Sequence, residues 1–181
     1  MTEQVVTRMP TGCDPDAWNA FWASDRGIAW RSRSRDVCLG LGPIFDDVSV
    51  VWEFGFGVPE FAELLGRERW RGVDVSAIAV WAACERGFNA RIGSCGDADI
   101  GAGDGVCAFQ VLSYLDEDER SAFLNSIATV AGVVVFTDAV QQAPIFRTGE
   151  RFREYLSAWF PRVKVREFAV GRKTILLAVS Q

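Results

Sequence analysis

The sequence predicts an α/β fold, a mostly parallel seven-stranded sheet with helices on both faces, and three observations predict it. Continuous apolar runs rich in Val, Ile and Phe recur from residue 48 onward. Stretches of helical period separate most of them. The last two runs follow one another with no helix between. At 181 residues, with 49% apolar and 24% charged side chains, the chain suits one globular domain with a full core.

The elements follow in order. Residues 14–24, DPDAWNAFWAS, read as a short amphipathic helix carrying Trp18, Phe21 and Trp22. Residues 26–47 mix Arg, Gly, Pro and Asp and read as irregular. The chain thus divides into an N-terminal segment, 1–47, and a main domain, 48–181. VSVVWEFG is a buried first strand by its β-branched run, and PEFAELLGRERW a helix with Pro59 in its first turn. RGVDV is a second strand. SAIAVWAACERG is a helix, with Ser76 as N-cap and Gly87 as its stop. ARIGSC and GVCAFQVLSYL are the third and fourth strands. DEDERSAFLNSIATVAG is a helix whose opening acids suit the positive end of its dipole. VVVFTDAV is the fifth strand, GERFREYLSAWF a helix stopped by Pro161, and VKVREFAVG with RKTILLAVSQ an antiparallel closing pair turning at Gly171. The whole is Rossmann-like. Its ligand is expected beyond the carboxyl ends of the strands, where strand order reverses.

Composition narrows the chemistry. No histidine occurs, which removes the commonest general base, the commonest metal ligand and every Ser–His or Cys–His nucleophile pair. Five cysteines stand at 13, 38, 84, 95 and 107. The odd count and the lack of a C-x-x-C pair argue against a disulfide framework or a structural zinc site, and no metal is expected. No apolar run is long enough to span a membrane, and the N-terminus lacks a secretory pattern. The expectation is a cytoplasmic protein with no membrane association. A net charge of −5 disfavours nucleic acid as a partner. The charge is uneven, however. Arg147 to Lys173 holds eight basic residues against three acidic, and Asp97 to Glu119 holds seven acidic and none basic.

The informative stretch is Glu53-Phe54-Gly55-Phe56-Gly57-Val58-Pro59, where the first strand turns into the first helix. Two glycines allow a tight bend and close approach of a ligand. Asp74, twenty-one positions after Glu53, ends the second strand, where a carboxylate can accept from both hydroxyls of a ribose. Dinucleotides and S-adenosylmethionine both use such an arrangement. The dinucleotide pattern wants a third glycine where Glu60 stands, and a carboxylate there repels a pyrophosphate. S-adenosylmethionine carries an ammonium and a sulfonium, which acidic residues favour.

These residues resemble the class I S-adenosylmethionine-dependent methyltransferases. WEFGFG resembles their first motif, GVDVSAIAV the second-strand motif, GDAD (96–99) the loop after the third strand, and DGVCAFQVLSYL the fourth-strand motif. The resemblance covers residues 48–181. It departs at Pro59, where many members carry a further glycine, and in the lack of an insertion after the fifth strand. It implies S-adenosylmethionine as cofactor, held by Gly55 and Gly57, with Glu53 toward the methionine ammonium. Asp74 and Val75 are then expected at the ribose end, Asp97 and Ala98 at the adenine, and Gln110, inside the otherwise apolar fourth strand, at the cofactor. Asp99 competes with Asp97 for the adenine.

Tyr114, beside Ser113, and Asp138 are the candidates for taking a proton from the acceptor. Tyr114, Gln141 and Arg147, with Gln142 nearby, are expected at the substrate. Trp18, Trp22 and Trp30 belong to a helix or segment that either closes as a lid or packs on the sheet edge or a second subunit, which leaves a homodimer open. The expected activity is methyl transfer to an oxygen, nitrogen or carbon of a small molecule. The alternatives are an RNA or protein methyltransferase, favoured by the basic stretch after Arg147, or a non-catalytic S-adenosylmethionine-binding or partner subunit. A nicotinamide-dependent oxidoreductase is disfavoured by Glu60.

Overall fold

A computed structural model describes residues 10–24, 27, 40–140, 146–170 and 173–180. Trp30, Cys38, Gln141, Gln142 and the expected turn at Gly171 lie outside them. The chain runs α1 (Pro15–Ala23), a short 3-10 turn (Gly42–Phe45), β1 (Val51–Phe54), α2 (Glu60–Leu65), β2 (Trp70–Asp74), α3 (Ala77–Glu85) and β3 (Ala90–Ile92). It continues through β4 (Gly105–Phe109), α4 (Glu117–Ala128), β5 (Val133–Ala139), α5 (Gly149–Ser157), β6 (Lys164–Val170) and β7 (Lys173–Ser180).

The seven strands form one sheet in the order β3-β2-β1-β4-β5-β7-β6. All neighbours among β1 to β5 pair in parallel, whereas β7 runs antiparallel to both β5 and β6. The strand order reverses between β1 and β4, and that is where a crevice is expected. The central strands β1, β4 and β5 are buried on both faces, and their alternate residues feed different cores. On β4, Val106 and Ala108 join the core under α4 and α5, with Phe123, Leu124, Phe152 and Leu156. Cys107 between them joins the core under α1, α2 and α3, with Phe21, Phe61 and Ala79. Trp22, Leu41 and Phe45 belong to that second core, so the segment before residue 48 shares its packing with the sheet.

Local chemistry sets the boundaries. Ser76 caps α3, its hydroxyl accepting from the Ala79 amide, and Gly87 follows the helix end at φ 78. Asp116 and Glu119 form a capping box at α4. Several expected elements are shorter than the sequence pattern, two of them for a reason visible in the backbone. The helix begun after Pro59 ends at Leu65, because Gly66 adopts φ 83 and turns the chain so that Trp70 can open β2. Pro59 itself occupies the N-cap position rather than the first turn. The fourth strand ends at Phe109, because Gln110 takes φ 58 and leaves the ladder, so VLSYL is a turn rather than strand. A left-handed conformation at a non-glycine residue is uncommon and is held here by the Gln110 amide donating to Thr137 O at 2.7 Å.

Candidate active site

A cavity opens at the carboxyl ends of β1, β2 and β4, on both sides of the order reversal. Its floor is the turn after β1, with Glu53, Gly55, Phe56 and Val58. One wall is Val73, Asp74 and Val75 from β2, with Gly93 and Cys95 after β3. The other is Phe109, Gln110, Val111, Tyr114 and Leu115. Gly12, Cys13, Trp18 and Trp22 from the N-terminal segment cover it. No lysine or arginine lines it among the described residues.

The turn is made by glycine at the two positions that need it. Gly55 has φ 60 and Gly57 φ 54. A Cβ on Gly55 would lie 2.7 Å from Val111 Cγ2, and one on Gly57 would run into the Trp22 ring. Asp74 ties this turn to β2. Its Oδ2 accepts from the Gly57 amide and its Oδ1 from the Ser76 amide, each at 2.8 Å. Each carboxylate oxygen keeps a further lone pair for a hydroxyl donor. Burial raises the Asp74 carboxyl to about 6, opposed by those two amides. Glu53 sits on the neighbouring strand, buried, its Oε2 accepting from Trp70 Nε1 at 2.7 Å. Burial pushes Glu53 up to about 8. The Trp70 bond opposes the shift and the charge of Asp74 adds to it. In this state Glu53 is a protonated acid and Asp74 an ionised one at neutral pH.

The covering segment is fastened at several points. Gly12 N donates to Tyr114 O at 2.5 Å, Cys13 N to Glu119 Oε1 at 2.9 Å, and Trp18 Nε1 to Gly12 O at 2.9 Å. Asn19 Oδ1 accepts from the Ser76 hydroxyl at 2.8 Å, which joins α1 to the head of α3. Trp18 meets Tyr114 edge-on, with ring centroids 5.4 Å apart. The aromatic residues of α1 thus lie over the cavity and in the core at once.

The fold matches a magnesium protoporphyrin IX methyltransferase from Synechocystis PCC 6803 with bound SAM, at TM-score 0.68 and 16% identity over 90% of this chain and 95% of that one. It matches the DhpI–SAH complex at TM-score 0.68 and 19% identity, over 93% and 95%. It also matches a putative O-methyltransferase from Nostoc punctiforme PCC 73102 at TM-score 0.69 and 15% identity, over 91% of this chain and 60% of that one. The chain has the class I S-adenosylmethionine-dependent methyltransferase fold. No protein-family model matches the sequence, and no curated protein matches it.

Within this methyltransferase fold, Glu53, Gly55, Asp74, Val75, Gln110 and Tyr114 line one cavity, and Gly57 carries the amide that Asp74 holds. The carbonyl Oε1 of Gln110 is buried there with no hydrogen-bond partner. Other expected positions stand apart from the cavity. Asp97 is exposed, accepting from the Ser94 amide at 2.6 Å, and that backbone bond is the main cause holding its carboxyl below the ordinary value. Ala98 packs against the core beside Ile100. Cys95 and Gly93 present that loop to the cavity instead. Asp138 is fully buried, with Oδ2 accepting from Ser113 N and Oδ1 from Ala139 N, each at 3.0 Å. Burial raises it to about 6. It ties the turn after β4 to β5 and does not line the cavity. Arg147 is exposed and also lies off it. The sequence reading missed Gly12, Cys13, Cys95 and Trp70. Only Trp70 left a signal: an aromatic residue two positions before a strand glycine, free to lie across it.

Among the described residues no helix is long and apolar enough to cross a membrane, and no cluster of ligating side chains could hold a metal.

Proposed function

We propose that the chain binds S-adenosylmethionine in this cavity and transfers its methyl group to a small-molecule acceptor. One observation carries the reading. Two buried carboxyls, Glu53 and Asp74, stand on adjacent parallel strands beside a Gly-x-Gly turn, at a cavity that no basic side chain lines among the described residues. A pyrophosphate gains no compensating charge there, and Glu60 and Glu63 in the first turn of α2 repel it. A ligand with hydroxyls and positive charge is favoured.

S-adenosylmethionine supplies a methyl group already activated on a sulfonium. Asp74 offers the acceptor lone pairs for a ribose while keeping the glycine turn in shape. Glu53 ionises as positive charge approaches and so becomes a counter-charge only in the loaded site. Val73, Val75, Phe109 and Val111 give apolar walls. Gln110 offers an amide carbonyl to a donor on ligand or acceptor. Trp18 and Tyr114 cover the site and exclude water. Tyr114 is the cavity-lining side chain suited to hold or receive an acceptor proton, and Asp138 acts through the turn that carries Tyr114. Positioning supplies most of the acceleration in such a transfer.

Calorimetric titration with S-adenosylmethionine and S-adenosylhomocysteine, with NADH as control, tests the cofactor. Micromolar binding of the adenosyl ligands and none of NADH is expected. Preference for NADH, or no adenosyl binding, sinks the reading. Production of S-adenosylhomocysteine across a panel of small phenols, amines and carboxylates then tests the acceptor class.

A second reading, RNA as acceptor, has one observation in its favour. Arg162, Lys164 and Arg166 border a groove with Leu177 and Val179 on the β6–β7 face. Its signature is RNA association that weakens steeply with salt.

A further inference from the structure

Two thiols from distant parts of the chain reach the same cavity. Cys13 precedes α1 in the covering segment and Cys95 follows β3, and both line the cavity. Both pack against the same core, are half-buried rather than sealed, and are free thiols. The Cys13 side chain is a neighbour of the Cys95 thiol. The backbones that carry them are anchored. The Cys13 amide donates to Glu119 Oε1 at 2.9 Å, and the β3 loop is held by Gly93 N donating to Asp74 O at 3.0 Å. Of the other described cysteines, Cys84 is exposed on α3 and Cys107 is buried in β4.

We infer that Cys13 and Cys95 form a reversible disulfide that fastens the N-terminal segment across the cavity and closes it to ligand. The bond joins the N-terminal segment to the loop after β3, both of which line the cavity, and it takes up room there that a ligand needs. The neighbouring Cys13 and burial hold the Cys95 thiol well above its ordinary range. The co-reactant is a low-molecular-weight disulfide. The Cys13 thiolate attacks one of its sulfurs and expels one small thiol. Cys95 then displaces the second small thiol from Cys13, its proton leaving with that thiol. Protein dithiol and small disulfide give protein disulfide and two small thiols.

The closure rests on the reading of the cavity as the adenosyl site, whereas the cross-link does not. The full-length protein is incubated with oxidised glutathione, alkylated, digested without reductant and mapped by mass. A Cys13–Cys95 cross-linked peptide, absent after dithiothreitol and in Cys13→Ser and Cys95→Ser but kept in Cys84→Ser, is expected. Recovery of both cysteines only alkylated, or only as glutathione adducts, overturns the inference. Repeating the oxidation with S-adenosylhomocysteine at a hundred times its Kd is expected to slow cross-linking by about a hundredfold. An unchanged rate in a protein that binds the ligand overturns the closure. If the reduced protein binds no adenosyl ligand yet cross-links, the proposed function fails and the disulfide stands.

Discussion

The indole of Trp70 lies across Gly72 and donates from Nε1 to Glu53 Oε2 on the neighbouring strand, at 2.7 Å. Glu53 and Gly72 are register partners in the parallel ladder, so the missing side chain at 72 is what lets the ring reach the acid. Trp70→Phe removes the donor and leaves a buried acid with one partner fewer. A loss of about 1–3 kcal/mol is expected in urea unfolding. A change below about 0.5 kcal/mol, the scatter of neutral surface substitutions, contradicts the bond.

Glu53, Asp74 and Asp138 have folded values of about 8, 6 and 6 against ordinary values of 4.5, 3.8 and 3.8. Between those limits the native protein holds protons that the unfolded chain has released. The stability these groups contribute is full below the ordinary carboxylate range. It is lost as pH rises, through 6 for the two aspartates and through 8 for the glutamate. The urea midpoint is therefore expected to fall from about pH 5 to about pH 8.5. A midpoint that rises over that window contradicts the assignment.

Binding of a cation beside Glu53 reverses this preference, because the ionised acid gains a counter-charge. S-adenosylmethionine affinity is expected to increase as pH rises toward 8, with proton release on binding near neutral pH. Calorimetry in buffers of different ionisation enthalpy measures that release. Glu53→Gln removes both the release and the pH dependence.

Asp74→Asn keeps one acceptor oxygen for a loop amide but loses the charge and a paired acceptor. Hydrogen bonds to a charged group contribute about 1.5–3 kcal/mol, so S-adenosylhomocysteine affinity is expected to fall by roughly ten- to a hundredfold. A variant that binds as tightly as the parent places the ribose elsewhere.

Two glycines of positive φ should respond differently to alanine. Gly66, at φ 83, has nothing within 4 Å of an added Cβ. Gly66→Ala carries only the left-handed penalty of about 1–2 kcal/mol. Gly57, at φ 54, has the Trp22 ring against it. Gly57→Ala adds overpacking, about 1–3 kcal/mol more. Equal midpoints for the two variants in thermal unfolding would show that Trp22 yields freely.

Much of this protein is determined by its sequence alone. The apolar runs of β1, β2, β4, β5 and β7 have one stable arrangement, because a strand buried on both faces must be covered on both. Right-handed crossovers then restrict the orders open to the parallel ones. The Gly-x-Gly turn and Asp74 are legible because local backbone geometry and spacing along two adjacent strands fix them. Only the tertiary structure decided the rest. Gln110 carries a strand-like sequence, yet its bond to Thr137 O turns the chain there. Asp138 has the composition of a site residue and is spent holding the Ser113 amide. Cys13 and Cys95 are eighty-two positions apart in the chain and share one cavity because Tyr114, Glu119 and Ser76 hold the N-terminal segment over it. Such contacts depend on where side chains end in space. Spacing along the sequence records periodicity within an element and leaves unrecorded which distant elements meet at its tip.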